Sequence, residues 1–259
     1  MRCDLFFSPS ELPDFYVKGR RVVLVDVLRA CTSLAVALEA GAARIIPAES
    51  VEEAKQLVKA LDREYTLLAG EMDGRKLPGF DLGNSPREFK DPSLAGKTIV
   101  FTSTNGARLM AQMVDAGEQV LLSFLNLSGA GSYLLGSGYA SELTVVCAGQ
   151  DGHFSLEDAV CAGMLCDWLL KRDPAVEFND CGQAARILHR AHASDLPGLL
   201  RLCSHGVFLR ENGMGEDLIE AARVDSVGLV PVVRDGRITA VRPPWGTVKA
   251  GAAEGAAGS

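Results

Sequence analysis

Short apolar blocks alternate with segments of helical periodicity along most of this chain, and that alternation leaves few folds open. Residues 21–28 form the first block, bounded upstream by Lys18-Gly19-Arg20, and read as a buried strand of a parallel sheet. Residues 30–40 follow at helical spacing and stop at Gly41. Further strands are expected over residues 44–48, 65–69, 98–101, 119–124 and 143–148, and helices from Ser50 and over 105–116, 127–140 and 155–171. Ser50 with Glu53, and Ser155 with Asp158, have capping-box spacing. Residues 180–223 are helical throughout, broken near Pro197 and Gly213. Residues 227–233 and 237–241, around Arg234-Asp235-Gly236, read as a terminal hairpin. The expected fold is α/β: three-layer α/β/α with a mainly parallel sheet, a helical C-terminal section and a terminal β-hairpin. Residues 1–249 would make a single domain, 180–241 being the segment from which any separate lobe would form, and 250–259 an Ala/Gly-rich disordered tail.

Charge and cysteine content narrow the function classes. Thirty-three acids against 26 bases, a net charge of −7, exclude a general nucleic-acid binder, which needs a basic surface. No apolar run approaches the roughly 20 residues that span a bilayer, and residues 1–13 lack the layout of a secretory signal. The seven cysteines contain no C-x-x-C pair and are odd in number, which fits reduced thiols in a cytoplasmic protein. A homo-oligomer is the base-rate expectation.

In an open parallel sheet, ligands bind beyond the carboxyl ends of the strands. The first buried block ends in Asp26-Val27-Leu28-Arg29-Ala30-Cys31-Thr32-Ser33, and the strand over 65–69 runs into Gly70-Glu71. The next strand ends in Ser103-Thr104-Asn105-Gly106, and a later one in Cys147 to His153, shortly before Glu157-Asp158. About 20 residues from Met72 to Pro92, rich in Gly and Pro, read as a functional loop or linker. Carboxylates, hydroxyls and an arginine thus recur on one edge, which suits a phosphate held with a hard cation. Each piece has a plainer reading. Ser33, Ser155 and Asn105 taken singly are helix caps, and Glu157 and Asp158 complement a helix dipole. Asp26 is harder to dismiss, because a lone acid inside an apolar block is costly to bury. Cys31 lacks the C-x5-R loop of cysteine phosphatases and reads as a packing residue. His189 and His192 belong to a solvated face, His205 is ambiguous, and His153 is a weak acid/base candidate.

Five spaced blocks carry a resemblance: Asp26 to Ala30, Gly70-Glu71, Gly79 to Pro86, Thr102 to Gly106, and Phe154 to Asp158. With the late run Ser204-His205-Gly206, Leu209, Asp217, Ala221-Ala222 and Asp225, they resemble the 2-phosphosulfolactate phosphatases, known from coenzyme M biosynthesis. The resemblance implies a Mg²⁺-dependent phosphomonoester hydrolase converting 2-phospho-3-sulfolactate, a small anionic substrate, to 3-sulfolactate and phosphate. On this reading Asp26, Arg29 and Asp158 are catalytic, and Asp26, Glu71 and Asp158 hold the metal directly or through water. Thr32, Ser33, Asn84, Ser85, Thr104 and Asn105 would bind substrate. Met72 stands where many relatives carry arginine, with Arg75 as the nearest substitute. Water attack and a phospho-aspartyl intermediate on Asp26 both remain open. The alternatives are a phosphatase for another small phospho-hydroxy acid and a non-catalytic phospho-metabolite sensor. A nucleotide-binding Rossmann protein is excluded, since no G-x-G-x-x-G follows a strand.

Overall fold

The computed structural model describes residues 1–136 and 142–242; the expected tail and the end of the helix expected over 127–140 lie outside them. The strands are β1 (Arg2–Phe6), β2 (Arg21–Val25), β3 (Arg44–Pro47), β4 (Thr66–Met72), β5 (Arg75–Lys76), β6 (Thr98–Thr102), β7 (Glu118–Leu122), β8 (Glu142–Cys147), β9 (Glu177–Phe178), β10 (Val230–Arg234) and β11 (Arg237–Val241). The helices are α1 (Ala30–Glu39), α2 (Val51–Lys59), α3 (Gly106–Gln112), α4 (Leu127–Gly136), α5 (Leu156–Arg172), α6 (Asp180–His192), α7 (Leu196–Leu202), α8 (Ser204–Glu211) and α9 (Gly215–Ala221). No helix among the described residues is long and apolar enough to cross a membrane.

The strands form one mixed sheet in the order β5-β4-β6-β3-β11-β10-β7-β2-β8-β1-β9. Two blocks are internally parallel: β3, β6 and β4 on one side, and β7, β2, β8, β1 and β9 on the other. The C-terminal hairpin does not close an edge. It lies between the blocks, with β10 antiparallel to β7 and β11 antiparallel to β3, so the two blocks run in opposite senses. A flat sheet would therefore put the carboxyl ends of β2 and β6 on opposite edges. Five strand-to-strand steps separate them, and at roughly 20–25° per step the twist accumulates about 100–125°. That rotation takes back more than half of the reversal and brings the ends of β2, β4 and β6 toward one place.

Helices cover both faces of this sheet. On one, α1 is buried from Ala30 through Leu38 and packs against β7, β10 and β11. Its sequence from Ala30 to Leu38 carries no charge, as a helix buried all round must. Leu24, Ile99, Phe101, Leu121 and Ile238 surround it. On the other face, α4 and α5 supply Leu127, Leu134, Leu165 and Leu169 to a core with Val23, Val25 and Val145.

α6 lies against α5 so closely that Gly163 has no room for a side chain: a Cβ there would stand 2.0 Å from the Ala185 carbonyl oxygen. Alanine normally gains up to about 1 kcal/mol over glycine in a helix. Here the contact is with backbone, which cannot step aside without separating the two helices. Gly163→Ala is expected to destabilise the protein by about 1–3 kcal/mol, read as a lower urea midpoint at unchanged slope.

Candidate active site

Asp26 follows β2 and turns the chain into α1. Its Oδ1 accepts the Ala30 N–H at 3.0 Å, which anchors the first turn of that helix. Its Oδ2 makes no hydrogen bond among the described residues and lies over the start of α3, where a Cβ on Gly106 would come within 2.6 Å of it. Only glycine permits that approach. A cavity of about 200 Å³ opens in front of it, lined by Asp26, Arg29, Glu71, Asn84, Thr104 and His205 among others. That is below the range of drug-sized sites and suits a small metabolite.

The expected residues divide into those that face this cavity and those that hold its walls. Asp26, Arg29, Glu71, Asn84, Thr104 and Asn105 line it. Thr32, Ser33, Ser85 and Asp158 do not, and the side-chain oxygens of all four have partners within the protein. Thr32 Oγ1 donates to the Val27 carbonyl and Ser33 Oγ to the Asn84 carbonyl. Ser85 Oγ donates to Asp217 Oδ1 at 2.6 Å. Asp158 accepts the Val27 N–H on one oxygen and the Gly149 N–H on the other, tying β2 to the turn after β8. The anion cradle expected at the start of α1 is thus a set of internal fastenings.

Glu71 is also engaged. Oε1 accepts the Thr104 N–H at 2.8 Å and Oε2 the Gly74 N–H at 2.7 Å, so this carboxylate joins the β4–β5 turn to the β6–α3 loop. The first part of the supposed 20-residue loop is in fact this tight hairpin, with Asp73 and Gly74 both at positive φ as a two-residue turn requires. Arg75, the expected substitute for a missing arginine, is exposed and donates to Asn212. Asn105 lies at the start of α3, but the side chain that caps this helix is Ser103, which accepts the Ala107 N–H. His153 is exposed in its turn and is not among the lining residues. Cys31 is buried and its thiol is pushed well up by burial, which fits the packing role and not a thiolate.

Arg29 is more committed than a free anion clamp would be. Nη1 donates to Asp217 Oδ2 at 2.8 Å and Nη2 to the Gly74 carbonyl at 2.7 Å, and both side chains of the ion pair are buried. Its Nε–H is buried without a partner. Two other polar atoms of lining residues share that condition, Asn84 Oδ1 and His205 Nε2. Sequence reasoning undervalued three residues here. Glu157 is buried beneath the site, Asp217 is the counter-ion of Arg29, and His205 lines the cavity. For Asp217 and His205 the late motif was the available signal; for Glu157 it was the block Phe154 to Asp158, within which it was read as a helix-dipole acid.

The site carries more negative charge than its cations offset. Burial pushes the Asp26 carboxyl up to about 7, with Glu71 and Glu157 adding to the rise and the Ala30 N–H and Arg29 opposing it. Burial, Glu157 and Asp26 likewise hold the Asp158 carboxyl well above its ordinary range. Arg29 is already balanced by Asp217. Among the described residues, no three histidine, cysteine or acidic side chains converge as metal ligands, so the expected trio of Asp26, Glu71 and Asp158 is not gathered into one.

Known proteins point the same way as these residues. The profile of the 2-phosphosulpholactate phosphatase family matches residues 6–236. A relative named "probable 2-phosphosulfolactate phosphatase" from Symbiobacterium thermophilum is 37% identical over 220 residues, 85% of this chain and 94% of that protein. One of the same name from Caldanaerobacter subterraneus is 36% identical over 227 residues, covering 88% and 93%. Another, from Caldicellulosiruptor saccharolyticus, is 35% identical over 233 residues, covering 89% and 96%.

Proposed function

Because the chain belongs to the 2-phosphosulfolactate phosphatase family, we propose that it hydrolyses the phosphate monoester of 3-sulfolactate to 3-sulfolactate and phosphate. The observation that carries this reading is the single unbonded carboxylate oxygen of Asp26, held at the mouth of α1 and facing a small cavity with Arg29 on its wall.

Magnesium suits this donor set in one form. Mg²⁺ typically takes one or two protein carboxylates and completes its shell with water and substrate phosphate, so it needs no all-protein cage. Asp26 Oδ2 is the oxygen free to hold it, and Glu71 on the same wall would reach it through water. The raised Asp26 carboxyl and the surplus of buried acids fit a place that a cation neutralises. When bound, Mg²⁺ supplies positive charge to the phosphoryl oxygens and acidifies a coordinated water.

The chain's own groups do the rest. Arg29 offers its Nε–H to an anionic oxygen, and its guanidinium is held still by Asp217 and the Gly74 carbonyl, so little reorganisation accompanies binding. Glu71 fixes Thr104 and Gly74 relative to each other, which keeps two walls of the cavity at constant separation. Leu28 and Phe208 bring apolar surface to the lining and limit water around the ester. Seven free thiols, six of them buried, fit residence in the reducing cytoplasm.

Phosphate release tests the whole reading. Phosphosulfolactate with Mg²⁺ is expected to be hydrolysed, EDTA to stop the reaction, and added Mg²⁺ to restore it. Faster release from another phospho-hydroxy acid would move the substrate within the class. Release from none of a panel of esters would leave a binding protein instead.

A further inference from the structure

His205 stands in the first turn of α8, and its place is set by backbone contact. The next residue, Gly206, lies against the end of α7 so tightly that a Cβ would come within 1.6 Å of the Leu200 carbonyl oxygen. The imidazole meets Phe208 edge-on at 5.9 Å, and the Phe208 ring lies where a Cβ on Gly74 would be, 2.6 Å from its nearest atom. Gly74 in turn accepts from Arg29 Nη2. Arg29, Gly74, Phe208 and His205 therefore make one continuous wall of the cavity. Asp26 Oδ2 and the start of α3, residues 103–106, belong to another.

Two polar atoms of this wall, Arg29 Nε and His205 Nε2, are buried with no partner. An unpartnered buried polar atom is costly unless a ligand satisfies it. We propose that His205 and the Arg29 Nε–H form a second anion subsite, which holds the acid group of the substrate that is not transferred. This rests on the phosphatase reading, under which the substrate carries a carboxylate and a sulfonate beside its phosphate. Burial and Arg29 lower the His205 basicity while Glu157 and Asp151 raise it, and the net direction is downward. The ring accordingly meets its ligand as a neutral imidazole, and against an anion the tautomer with hydrogen on Nε2 is favoured. A neutral donor beside an arginine distinguishes acid groups by position without adding another full charge to balance.

The test compares substrates within one variant. His205→Leu keeps bulk against Phe208 and removes the donor, while His205→Gln restores an N–H near the same place. Four esters serve: phosphosulfolactate, phospholactate with a carboxylate only, 2-phosphooxyethanesulfonate with a sulfonate only, and ethyl phosphate with neither. H205L is expected to lose about 10- to 100-fold more kcat/KM on phosphosulfolactate than on ethyl phosphate, with H205Q recovering most of it. Whichever single-acid ester shares the excess loss names the group held. Equal loss on all four esters, or H205Q as poor as H205L, overturns the proposal. Binding of 3-sulfolactate to the intact wild-type protein gives a readout independent of turnover and of variant folding. A shift of the His205 ring nitrogen resonances on adding 3-sulfolactate is expected, and their remaining unmoved at saturation overturns the subsite. Failure of the wild type to hydrolyse phosphosulfolactate would instead fall on the function, and that binding experiment still decides the subsite.

Discussion

Asp26→Asn is expected to lower turnover by at least about 10³-fold while making the metal-free protein more stable above pH 7. Both effects have one origin. Asparagine can still accept the Ala30 N–H and keep the first turn of α1, but it removes the carboxylate that faces the cavity. In the folded protein this carboxyl is pushed from 3.8 to about 7, chiefly by burial. Between those values the folded state holds a proton that the unfolded chain has lost. Stability is therefore greatest at low pH on this account, falls as pH rises through about 7, and is level beyond it. A shift of that size is worth a few kcal/mol at most, at about 1.4 kcal/mol per pH unit. Asp158 is raised for similar reasons and stays in the variant, so the pH slope shrinks without vanishing. Urea denaturation in EDTA at pH 5.5 and 8, beside phosphate release with Mg²⁺, measures both halves. Near-wild-type turnover would remove Asp26 from the reaction. A variant no more stable than wild type at pH 8 would show that burying this carboxylate costs nothing.

The α/β alternation was legible because its strands are short, apolar and bounded by glycines; of the two capping boxes read, Ser50 does accept the Glu53 N–H at the start of α2, whereas Ser155 makes no cap bond to α5. β1 escaped notice because its apolar residues are few and interrupted by Asp4, which is buried and paired with Arg2 and Arg20. The turn after β4 was misread as open loop although Asp73-Gly74 is a strong hairpin signal, because the following Pro/Gly-rich segment masked it. The mainly parallel pairing and the terminal hairpin followed from the alternation, but the reversal between the two blocks did not. Nothing local in residues 227–241 says that the hairpin enters the middle of the sheet and reverses one block against the other. At the site, residue types were visible and their allegiance was not. Thr32, Ser33 and Ser85 have the chemistry of an anion cradle, but which oxygen meets a ligand depends on neighbours 5, 51 and 132 positions away. Asp26 stood out for the opposite reason: an acid alone in an apolar block declares its cost locally.

The acidic balance of the chain takes on a local meaning through the same geometry. Asp26, Glu71, Glu157 and Asp158 interact within the site, and Arg29, the buried arginine of its lining among the described residues, is already paired with Asp217. An ester bearing a phosphate, a carboxylate and a sulfonate, roughly four negative charges at neutral pH, needs more positive charge than the site provides, which is the physical case for the divalent cation proposed above.

Asp217→Ala is expected to destabilise the protein by about 3–5 kcal/mol, the cost of leaving a buried charge without its partner. Asp217 accepts Arg29 Nη1 on one oxygen and Ser85 Oγ on the other, and it is buried behind the lining Arg29. Removing it strands the guanidinium and frees the loop before β6 from α9 at one stroke. Stability and catalysis should then fall together, so the single variant cannot say which role matters. The double variant Arg29→Met with Asp217→Leu separates them. Replacing a buried ion pair by apolar side chains of similar volume is often neutral or stabilising, so its urea midpoint is expected to return close to that of the wild type. Turnover is expected to stay at least about 10²-fold down, because the lost Nε–H has no partner within the protein and is the donor proposed for the substrate. Recovery of activity along with stability would reduce Arg29 to a fastening between α1 and α9. Recovery of stability alone would place the guanidinium in contact with the substrate, with Asp217 as the group that holds it there.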